Sequence, residues 1–206
     1  MRSISDRVIE RFCQYRRALT RSASAGAHSI FSHELAHLVH LSADTVRQDI
    51  RILKYQGTPT SGYQIEELIL RLNNFLQYGT KENVAIVGLG NLGKALLSYY
   101  KTKQSFFSVV AAFDIEPSLI GRMIHGIPCY HSDDIPKMAR ELGIQTAVLA
   151  LPEDTAQGTA DSLVKGGVLG IVNFTSRLIQ VPAQVYVEYV DMTTILEKTI
   201  YFARHP

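Results

Sequence analysis

The stretch VAIVGLGNLGKALLSYY, Val84–Tyr100, decides the fold of the 206-residue chain. An apolar run comes directly before Gly88-x-Gly90-x-x-Gly93 and a helix-forming run follows it, a context in which this glycine pattern indicates a dinucleotide-binding turn. In such a turn Gly88 permits the tight bend, Gly90 lets a pyrophosphate approach the backbone, and Gly93 lets helix and strand pack closely. The N-terminus of the helix would face the phosphates.

An acidic residue at the end of the next strand completes this signature. The run FFSVVAAFD, residues 106–114, predicts that strand, and Asp114 follows Gly93 by 21 positions. A carboxylate there accepts hydrogen bonds from ribose hydroxyls and repels a 2′-phosphate. The pattern therefore predicts NAD(H) as the cofactor rather than NADP(H).

Strands and helices continue to alternate downstream. The runs TAVLALP (146–152), VLGIVNF (168–174) and QVYVEYVD (184–191) predict strands, and EDTAQGTADSLVKGG (153–167) predicts a helix. Apolar strands with helices between them are typical of an α/β fold with a doubly wound parallel (Rossmann) sheet, whose strand ends line the ligand crevice. The residues predicted to bind the cofactor there are Gly88, Leu89, Gly90, Asn91, Leu92, Gly93, Asp114, Leu151, Pro152, Asn173 and Phe174.

The first third of the chain has a different pattern. Residues 31–64, FSHELAHLVHLSADTVRQDIRILKYQGTPTSGYQ, predict two short amphipathic helices, capped by Ser32 and Ser42, and then a hairpin loop. The positions predicted to face inward are Leu35, Leu38, Val39, Val46, Ile50 and Leu53. Two short helices joined by a tight turn match a helix-turn-helix, whose second helix enters the DNA major groove, and the loop is then a wing.

Longer helices flank this motif. Residues 7–19 predict a helix with Val8, Phe12, Tyr15 and Leu19 on one side. The run IEELILRLNNFLQYG (65–79) predicts a linking helix that ends at Gly79. Its apolar stripe, formed by Leu68, Leu72, Phe75 and Leu76, is either core or a packing surface between domains.

Charge supports a nucleic-acid contact in the first third without proving it. The net charge is +2, but residues 1–60 hold nine Lys/Arg against five Asp/Glu. Arg47, Arg51 and Lys54 can neutralise phosphates, whereas Asp44 and Asp49 on the same helix oppose this. A small helical cap with solvated charges explains the same pattern.

Other classes of protein find little support. Cys13 and Cys129 stand far apart, and the His33-x-x-x-His37 spacing has no third ligand nearby, so no metal is expected. No apolar run is long enough to span a bilayer and the N-terminus lacks a signal-peptide core, so a cytoplasmic protein without membrane contact is expected. The chain has no room for a substrate domain and no catalytic constellation. Binding without turnover indicates a sensor and not an enzyme.

At this point the chain resembles the Rex family of redox-sensing transcriptional repressors. The resemblance rests on TVRQDIRILKYQGTPTSGY, VGLGNLGKALLSY, GIVNFT and VPAQVYVEYVDMTTILEKTIYF, and it covers nearly the whole length. It implies a homodimer that binds double-stranded operator DNA and releases it when NADH rises. It further implies a winged-helix domain over residues 1–79, an NAD(H)-binding Rossmann domain over 80–191, and a C-terminal dimerisation helix over 192–206 that is exchanged between subunits.

The resemblance also suggests a switch. Asp191 matches the mobile aspartate of the family, with Arg17 as its partner in the DNA-binding state and Tyr99 as its partner in the released state. Thr194-x-x-Glu197 is expected to form a capping box for the last helix. Met192, Phe174 and the Leu151-Pro152 turn are expected to form an apolar pocket that disfavours the cationic nicotinamide of NAD⁺, so that NADH binds more tightly.

One departure from the family concerns the wing, which carries no charge in QGTPTSGY. Minor-groove contacts by Arg or Lys are therefore not expected, although Gln48 can still pair with adenine. The residues expected to contact DNA are Ser42, Thr45, Arg47, Gln48, Arg51, Lys54, Gly57 and Thr58. The alternatives left open are a small NAD-dependent oxidoreductase with a non-DNA-binding helical cap, and a nucleotide- or CoA-binding regulatory module that contacts protein.

Overall fold

The computed structural model describes residues 4–77, 81–101 and 106–205, and the chain divides into two compact units, 1–80 and 81–206. The elements of the first unit are α1 (Asp6–Ser24), β1 (Ser29–Ile30), α2 (Ser32–Leu38), α3 (Ala43–Ile52), β2 (Tyr63–Gln64) and α4 (Ile65–Phe75). The elements of the second unit are β3 (Glu82–Val87), α5 (Asn91–Lys101), β4 (Phe107–Asp114), β5 (Met123–Ile124), β6 (Ile127–His131), a 3₁₀ turn (Ser132–Asp134), α6 (Ile135–Glu141), β7 (Ile144–Leu149), α7 (Glu153–Lys165), β8 (Gly170–Asn173), β9 (Tyr186–Tyr189) and α8 (Met192–Arg204).

The first unit is a winged helix-turn-helix, as predicted. Strands β1 and β2 pair in antiparallel fashion, and the loop between α3 and β2 folds back through two backbone hydrogen bonds of 2.9 Å between Thr58 and Gly62. The apolar residues of α1, α2, α3 and α4 form one core. Its fully buried members include Phe12, Tyr15, Leu19, Leu35, Val46, Ile50, Ile65, Leu68 and Leu72.

Three details of the first unit differ from the expectations. Phe31, not Ser32, is the N-cap of α2, and the Glu34 carboxylate accepts a 2.7 Å hydrogen bond from the Phe31 N–H in place of a serine cap. Leu38 is 51% exposed, because α2 ends there and Ala36 fills the core position. Helix α4 ends at Phe75, and its apolar stripe packs in the first unit's own core; Gly79 lies outside the described residues.

The second unit contains a doubly wound sheet, as predicted. Over the described residues the strand order is β5-β6-β4-β3-β7-β8-β9, and every neighbouring pair is parallel except β5 and β6. One face of the sheet packs against α6 and α7, and the other packs against α5. The strand order reverses at β3, between β4 and β7, and a ligand crevice in such a sheet opens at that point.

Two crossover connections lack the helix that strict alternation predicts. The segment from β4 to β6 carries the short antiparallel strand β5, and the segment from β8 to β9 runs without a helix. The first contains Pro117, Gly121 and Gly126, and the second contains Pro182. These residues remove backbone donors or favour turns, so a helix does not persist.

The C-terminal helix begins earlier than its sequence pattern suggests. Asp191 is the N-cap of α8, so the expected capping box at Thr194 and Glu197 is wrong. The helix begins at Met192 because the Asp191 carboxylate already accepts hydrogen bonds from the N–H groups of Thr193 and Thr194. The helix falls within the second unit, and all its residues are exposed.

Candidate functional site

A cleft of about 760 Å³ opens at the strand ends of β3, β4 and β7. Its floor is the glycine loop between β3 and α5, and its sides are the loop after β4 and the N-terminal turns of α7. The predicted cofactor-binding residues that line the cleft are Gly88, Gly90, Asn91, Leu92, Asp114, Leu151, Pro152 and Phe174. The cleft therefore forms at the switch point where a dinucleotide binds such a sheet.

The three loop glycines occupy three different environments. Gly88 has φ +91°, and a Cβ there would stand 2.4 Å from the Ala150 carbonyl oxygen. A Cβ on Gly93 would stand 1.9 Å from the Gly88 carbonyl oxygen, so α5 can approach the loop only without a side chain. A Cβ on Gly90 would meet nothing within 4 Å. Gly88 and Gly93 are thus needed for the close approach of backbone segments, while Gly90 leaves open space where a ligand can approach.

Asp114 holds the glycine loop to the end of β4. One carboxylate oxygen accepts a hydrogen bond of 2.5 Å from the Leu89 N–H, and the other accepts from the N–H groups of Ile115 and Glu116 at 2.8 and 2.9 Å. The carboxylate also lines the cleft, and the oxygen that is bonded to Leu89 keeps one acceptor site, because a carboxylate oxygen accepts about two hydrogen bonds. It can therefore fix the loop and still accept a ligand hydroxyl.

Four of the predicted cofactor residues lie outside the cleft lining. The Leu89 side chain is buried in the core under α5, and Gly93 packs against Gly88. Asn173 is fully buried; its Oδ1 accepts from the N–H and hydroxyl of Thr175, and its Nδ2 donates to the Arg177 carbonyl. Met192 is 57% exposed on α8. Asn173 therefore holds the turn that presents Phe174 to the cleft.

Sequence reasoning missed part of the lining. The additional residues are Val87, Ile115, Glu116, Ser132, Ala150, Asp154, Thr155 and Thr159. Three of them belong to α7, whose N-terminus opens toward the cleft directly after Pro152. Their signal in the sequence is the strand–turn–helix context after β7, which repeats the arrangement at the glycine loop without its glycines.

The cleft lining is acidic. Its charged members are Asp114, Glu116 and Asp154, and within the described chain no Lys, Arg or His belongs to the lining. A terminal phosphate monoester bound here would meet carboxylates without a cation to pair with. The remaining wall, formed by Leu92, Leu151, Pro152 and Phe174, is apolar.

The second helix of the helix-turn-helix presents polar side chains to solvent. Ser42 Oγ accepts from the Thr45 N–H at 3.1 Å and caps α3, as predicted. Arg47, Gln48, Arg51 and Lys54 are exposed, whereas Val46 and Ile50 point into the core. Arg47 donates to Ser32 Oγ at 3.0 Å and pairs with Asp44. The exposed groups are of the kind that contact phosphates and base edges.

The wing turn is shaped by its glycines. A Cβ on Gly57 would stand 2.6 Å from the Gly62 carbonyl oxygen, so the two arms of the turn approach closely. Thr58 is exposed at the tip, and its Oγ1 accepts from the Ser61 N–H at 3.1 Å. Gly57 therefore shapes the wing, and Thr58 is the member of the predicted pair whose side chain faces solvent.

Asp49 does not face solvent, contrary to its expected opposition to DNA binding. It is 3% exposed, and its carboxylate accepts from the Arg11 guanidinium at 2.6 and 2.7 Å and from the Tyr15 hydroxyl at 2.7 Å. Burial, and then the bond to Asp49, raise the pKa of Tyr15 well above its usual value. The same carboxylate raises the pKa of Arg11, so the cluster stays charged on Arg11 and protonated on Tyr15.

The three expected switch residues lie on separate elements. Arg17 is exposed on α1 of the first unit, and Tyr99 is 51% exposed near the end of α5. Asp191 caps α8, and its second oxygen accepts from the Thr194 hydroxyl at 2.6 Å. This bond, followed by the bond from the Thr194 N–H, lowers the pKa of Asp191. Asp191 is thus a carboxylate in the short connection between β9 and α8.

Metal and membrane signals are absent from the residues that the structure describes. They contain no group of three or more His, Cys, Asp or Glu side chains that could hold a metal ion. Within the same residues, no helix is both long and apolar enough to cross a bilayer.

Two family models match the chain, one on each unit. The model described as "Putative DNA-binding protein N-terminus" matches residues 3–50, and the model described as "CoA binding domain" matches residues 80–177. The first range lies within the first unit, and the second begins at the boundary between the units and covers most of the second unit.

Curated relatives and solved structures match nearly the whole chain. The redox-sensing transcriptional repressor Rex of Listeria welshimeri is 37% identical over 91% of this chain and 87% of its own length. The Rex protein of Lactobacillus gasseri is 35% identical over 91% of this chain and 88% of its own length. A crystal structure of RSP in complex with beta-NAD⁺ and operator DNA matches with a TM-score of 0.91 and 31% identity, over 100% of this chain and 94% of that one. RSP, a Rex-family repressor, in complex with beta-NADH matches with a TM-score of 0.86 and 31% identity, over 100% and 96% of the two chains.

A winged-helix unit joined to a Rossmann unit with an open nucleotide-type cleft is the architecture of a ligand-responsive transcription factor. The chain belongs to the Rex family of redox-sensing transcriptional repressors. The resemblance of the sequence motifs to the Rex family is thereby confirmed, and so is the predicted fold class.

Proposed function

We propose that this protein binds operator DNA as a homodimer and releases it when NADH enters the cleft of the second unit. Transcription of its target genes would then follow the NADH/NAD⁺ ratio. The observation that carries the proposal is that one chain holds both a glycine-loop cleft with open space at Gly90 and a capped helix with exposed cationic residues. Such a function needs access to DNA and to NAD(H), so we expect a cytoplasmic protein.

The lining of the cleft favours NAD(H) over NADP(H) and coenzyme A. Asp114 can accept a ribose hydroxyl, whereas a phosphate monoester on that ribose would meet Asp114 and Glu116. The apolar wall supports a preference for NADH over NAD⁺, because an oxidised nicotinamide brings a positive charge against Leu151, Pro152 and Phe174.

The same lining supports binding without turnover. Hydride transfer to a second substrate usually needs an acid or base beside the nicotinamide. The carboxylate of Asp114 is already bonded to three backbone N–H groups, and Glu116 and Asp154 are exposed. An oxidoreductase remains the second candidate, and steady oxidation of NADH by the purified protein with an added metabolite would favour it.

Helix α8 supports the homodimer. Ile195, Leu196, Ile200 and Phe202 are between 44 and 63% exposed, and burying a side chain of this size contributes about 1.5–3 kcal/mol. The α5 side of the sheet also has an apolar groove of about 270 Å³, lined in part by Val84, Ile86, Val148 and Val172. A second copy would cover both surfaces, with α8 exchanged between subunits. Light scattering should report a dimer, and Leu196→Glu should shift it toward monomer.

Asp191 is the proposed link between ligand and DNA. In the DNA-binding state it would pair with Arg17, and in the NADH-bound state it would accept a hydrogen bond from Tyr99. Its position between β9 and α8 supports this role, because a small movement of the hinge displaces a carboxylate and a whole helix together.

A DNA-binding experiment tests the proposal. A duplex that the wild-type protein selects from a randomised library serves as operator, and a scrambled duplex serves as control. We expect NADH to release the selected duplex while NAD⁺ largely spares the complex. Equal effects of the two forms, or no selection of any sequence, would contradict it.

A further inference from the structure

An ionic cluster joins α1 to α3 in the first unit, with the Asp49 carboxylate buried and the Arg11 side chain 22% exposed. Asp49 of α3 is 3% exposed, and the Arg11 guanidinium of α1 donates to both of its oxygens at 2.6 and 2.7 Å. The Tyr15 hydroxyl, one helical turn further along α1, donates to the same carboxylate at 2.7 Å. Three donors thus converge on a single side chain of the helix that carries the exposed DNA-facing groups.

The surroundings of the cluster are apolar. Phe12 of α1 and Val46 and Ile50 of α3 are each no more than 1% exposed, and they belong to the same core. Removing ions from water is unfavourable, and a well-packed apolar pair of similar size stabilises a fold equally well or better. The stability of the unit therefore does not explain why these charges are buried here.

The geometry of the cluster restrains the orientation of α3, which apolar contacts do less strictly. Apolar packing is non-directional, whereas a guanidinium that holds both oxygens of a carboxylate restricts distance and angle at once. On α3, Asp49 lies directly after Gln48 and two residues before Arg51, both of which are exposed. A rotation of the helix by about 20° would move an atom roughly 6 Å from its axis by about 2 Å, enough to break a hydrogen bond to a base.

We propose that Arg11, Asp49 and Tyr15 are positioning residues that fix the rotation of α3, so that Gln48 and Arg51 meet base edges and phosphates in register. This inference rests on the proposed function and adds to it the origin of sequence discrimination. Arg11 also neutralises a carboxylate that would otherwise repel phosphates. The cluster is distinct from the proposed switch, since neither Arg17 nor Asp191 belongs to it.

The test separates positioning from stability. The double variant Arg11→Met/Asp49→Leu replaces the ionic pair by apolar side chains of similar size in the intact protein. We expect it to fold with a Tm somewhat below that of the wild type, because the buried Tyr15 hydroxyl loses its acceptor, and to bind NADH with unchanged affinity. Its affinity for the library-selected duplex should fall at least about 10-fold, while its affinity for the scrambled duplex changes less than about 3-fold, because sequence is read by base contacts and phosphate attraction is sequence-independent.

Two single variants keep the proposal falsifiable if the double variant does not fold. Asp49→Asn keeps the shape without the charge, and Arg11→Lys keeps the charge without the two-pronged geometry. Both should lower the ratio of selected to scrambled affinity, Arg11→Lys by less. A folded double variant, or either single variant, that discriminates like the wild type would overturn the proposal. Wild-type protein that selects no sequence would instead contradict the proposed function, so the two failures are told apart.

Discussion

The two units build their functional surfaces from different parts of the chain. The cleft of the second unit is shaped by backbone: glycines that admit no side chain, a helix N-terminus, and a carboxylate that holds three N–H groups. In the first unit, the side chains proposed to face DNA lie on α3, and Arg11 and Tyr15 of α1 hold that helix through their hydrogen bonds to Asp49. Substitutions in the glycine loop should therefore change the stability of the second unit. Substitutions on α3 and at its α1 contacts should change the affinity for DNA and the alignment of α3 with the bases.

The strongest test of this difference is Gly93→Ala in the glycine loop. A Cβ at Gly93 would stand 1.9 Å from the Gly88 carbonyl oxygen, so α5 must move away from the loop. We expect a loss of about 3 kcal/mol in the free energy of unfolding and loss of NADH binding, measured by thermal unfolding and by NADH fluorescence.

The matched control is Gly90→Ala in the same loop. Its Cβ would meet no protein atom within 4 Å, so the Tm should stay within about 2 °C of the wild type while NADH affinity falls. If Gly93→Ala proved as stable as Gly90→Ala, the interpretation of the loop as a backbone constraint would fail.

The next largest effect is expected at Asp191, the proposed link between ligand binding and DNA binding. Asp191→Ala removes both the α8 cap and the charge, whereas Asp191→Asn keeps an acceptor oxygen for the Thr193 and Thr194 N–H groups and removes only the charge. In the wild type we expect NADH to weaken operator binding by about 10- to 100-fold. Both variants should reduce this ratio toward 1, and only Asp191→Ala should lower the helicity of α8 measured by circular dichroism.

The contrast between the two variants assigns the cause. If Asp191→Asn responded to NADH like the wild type, the charge would not be the switch. A response lost in Asp191→Ala alone would then identify the helix cap as the link.

The sequence predicts more of the cleft than of the α3 surface, because the cleft depends on local backbone geometry and the α3 surface depends on contacts between distant residues. The roles of Gly88 and Gly93 follow from local backbone geometry, and so does the acidic end of β4. The burial of Asp49 could not be predicted, because its partner Arg11 lies 38 positions away and only the tertiary fold joins them. Similarly, Leu38 fits the apolar period of α2 yet lies exposed, since the buried side of that short helix is formed by Leu35 and Ala36.

The sequence pattern also misled where two local signals competed. Thr194 and Glu197 match a capping box, but Asp191 stands three positions earlier, and its carboxylate caps the helix by accepting from the Thr193 and Thr194 N–H groups. The residues of α7 that line the cleft could not be predicted, because no glycine motif marks that part of the sequence. The buried Asn173 amide holds the Phe174 turn, a role that its position at the end of a strand does not reveal.

A moderate effect is expected from Asp114→Ala. The variant removes a charged acceptor from the Leu89 N–H and from the proposed ribose contact, and a hydrogen bond to a charged group contributes about 1.5–3 kcal/mol. We expect NADH affinity to fall by roughly 10- to 150-fold, and discrimination against NADPH to shrink because the repelling carboxylate is gone. Calorimetric titration with both nucleotides measures each change, and undiminished rejection of NADPH would assign the selectivity to Glu116 or to the shape of the cleft.

The smallest predicted effect concerns the stability of the first turn of α3 in the first unit. Ser42 Oγ accepts from the Thr45 N–H, so Ser42→Ala should destabilise this turn by about 1 kcal/mol and weaken DNA binding only modestly. Native-state hydrogen exchange at the Thr45 amide should speed up about five-fold. Ser32→Ala is the control, because Ser32 is the first residue of α2 and caps nothing there, while its contact with Arg47 is exposed. Equal effects of the two serines on exchange at Thr45 would mean that this turn is stabilised by packing beneath α3 and not by the Ser42 cap.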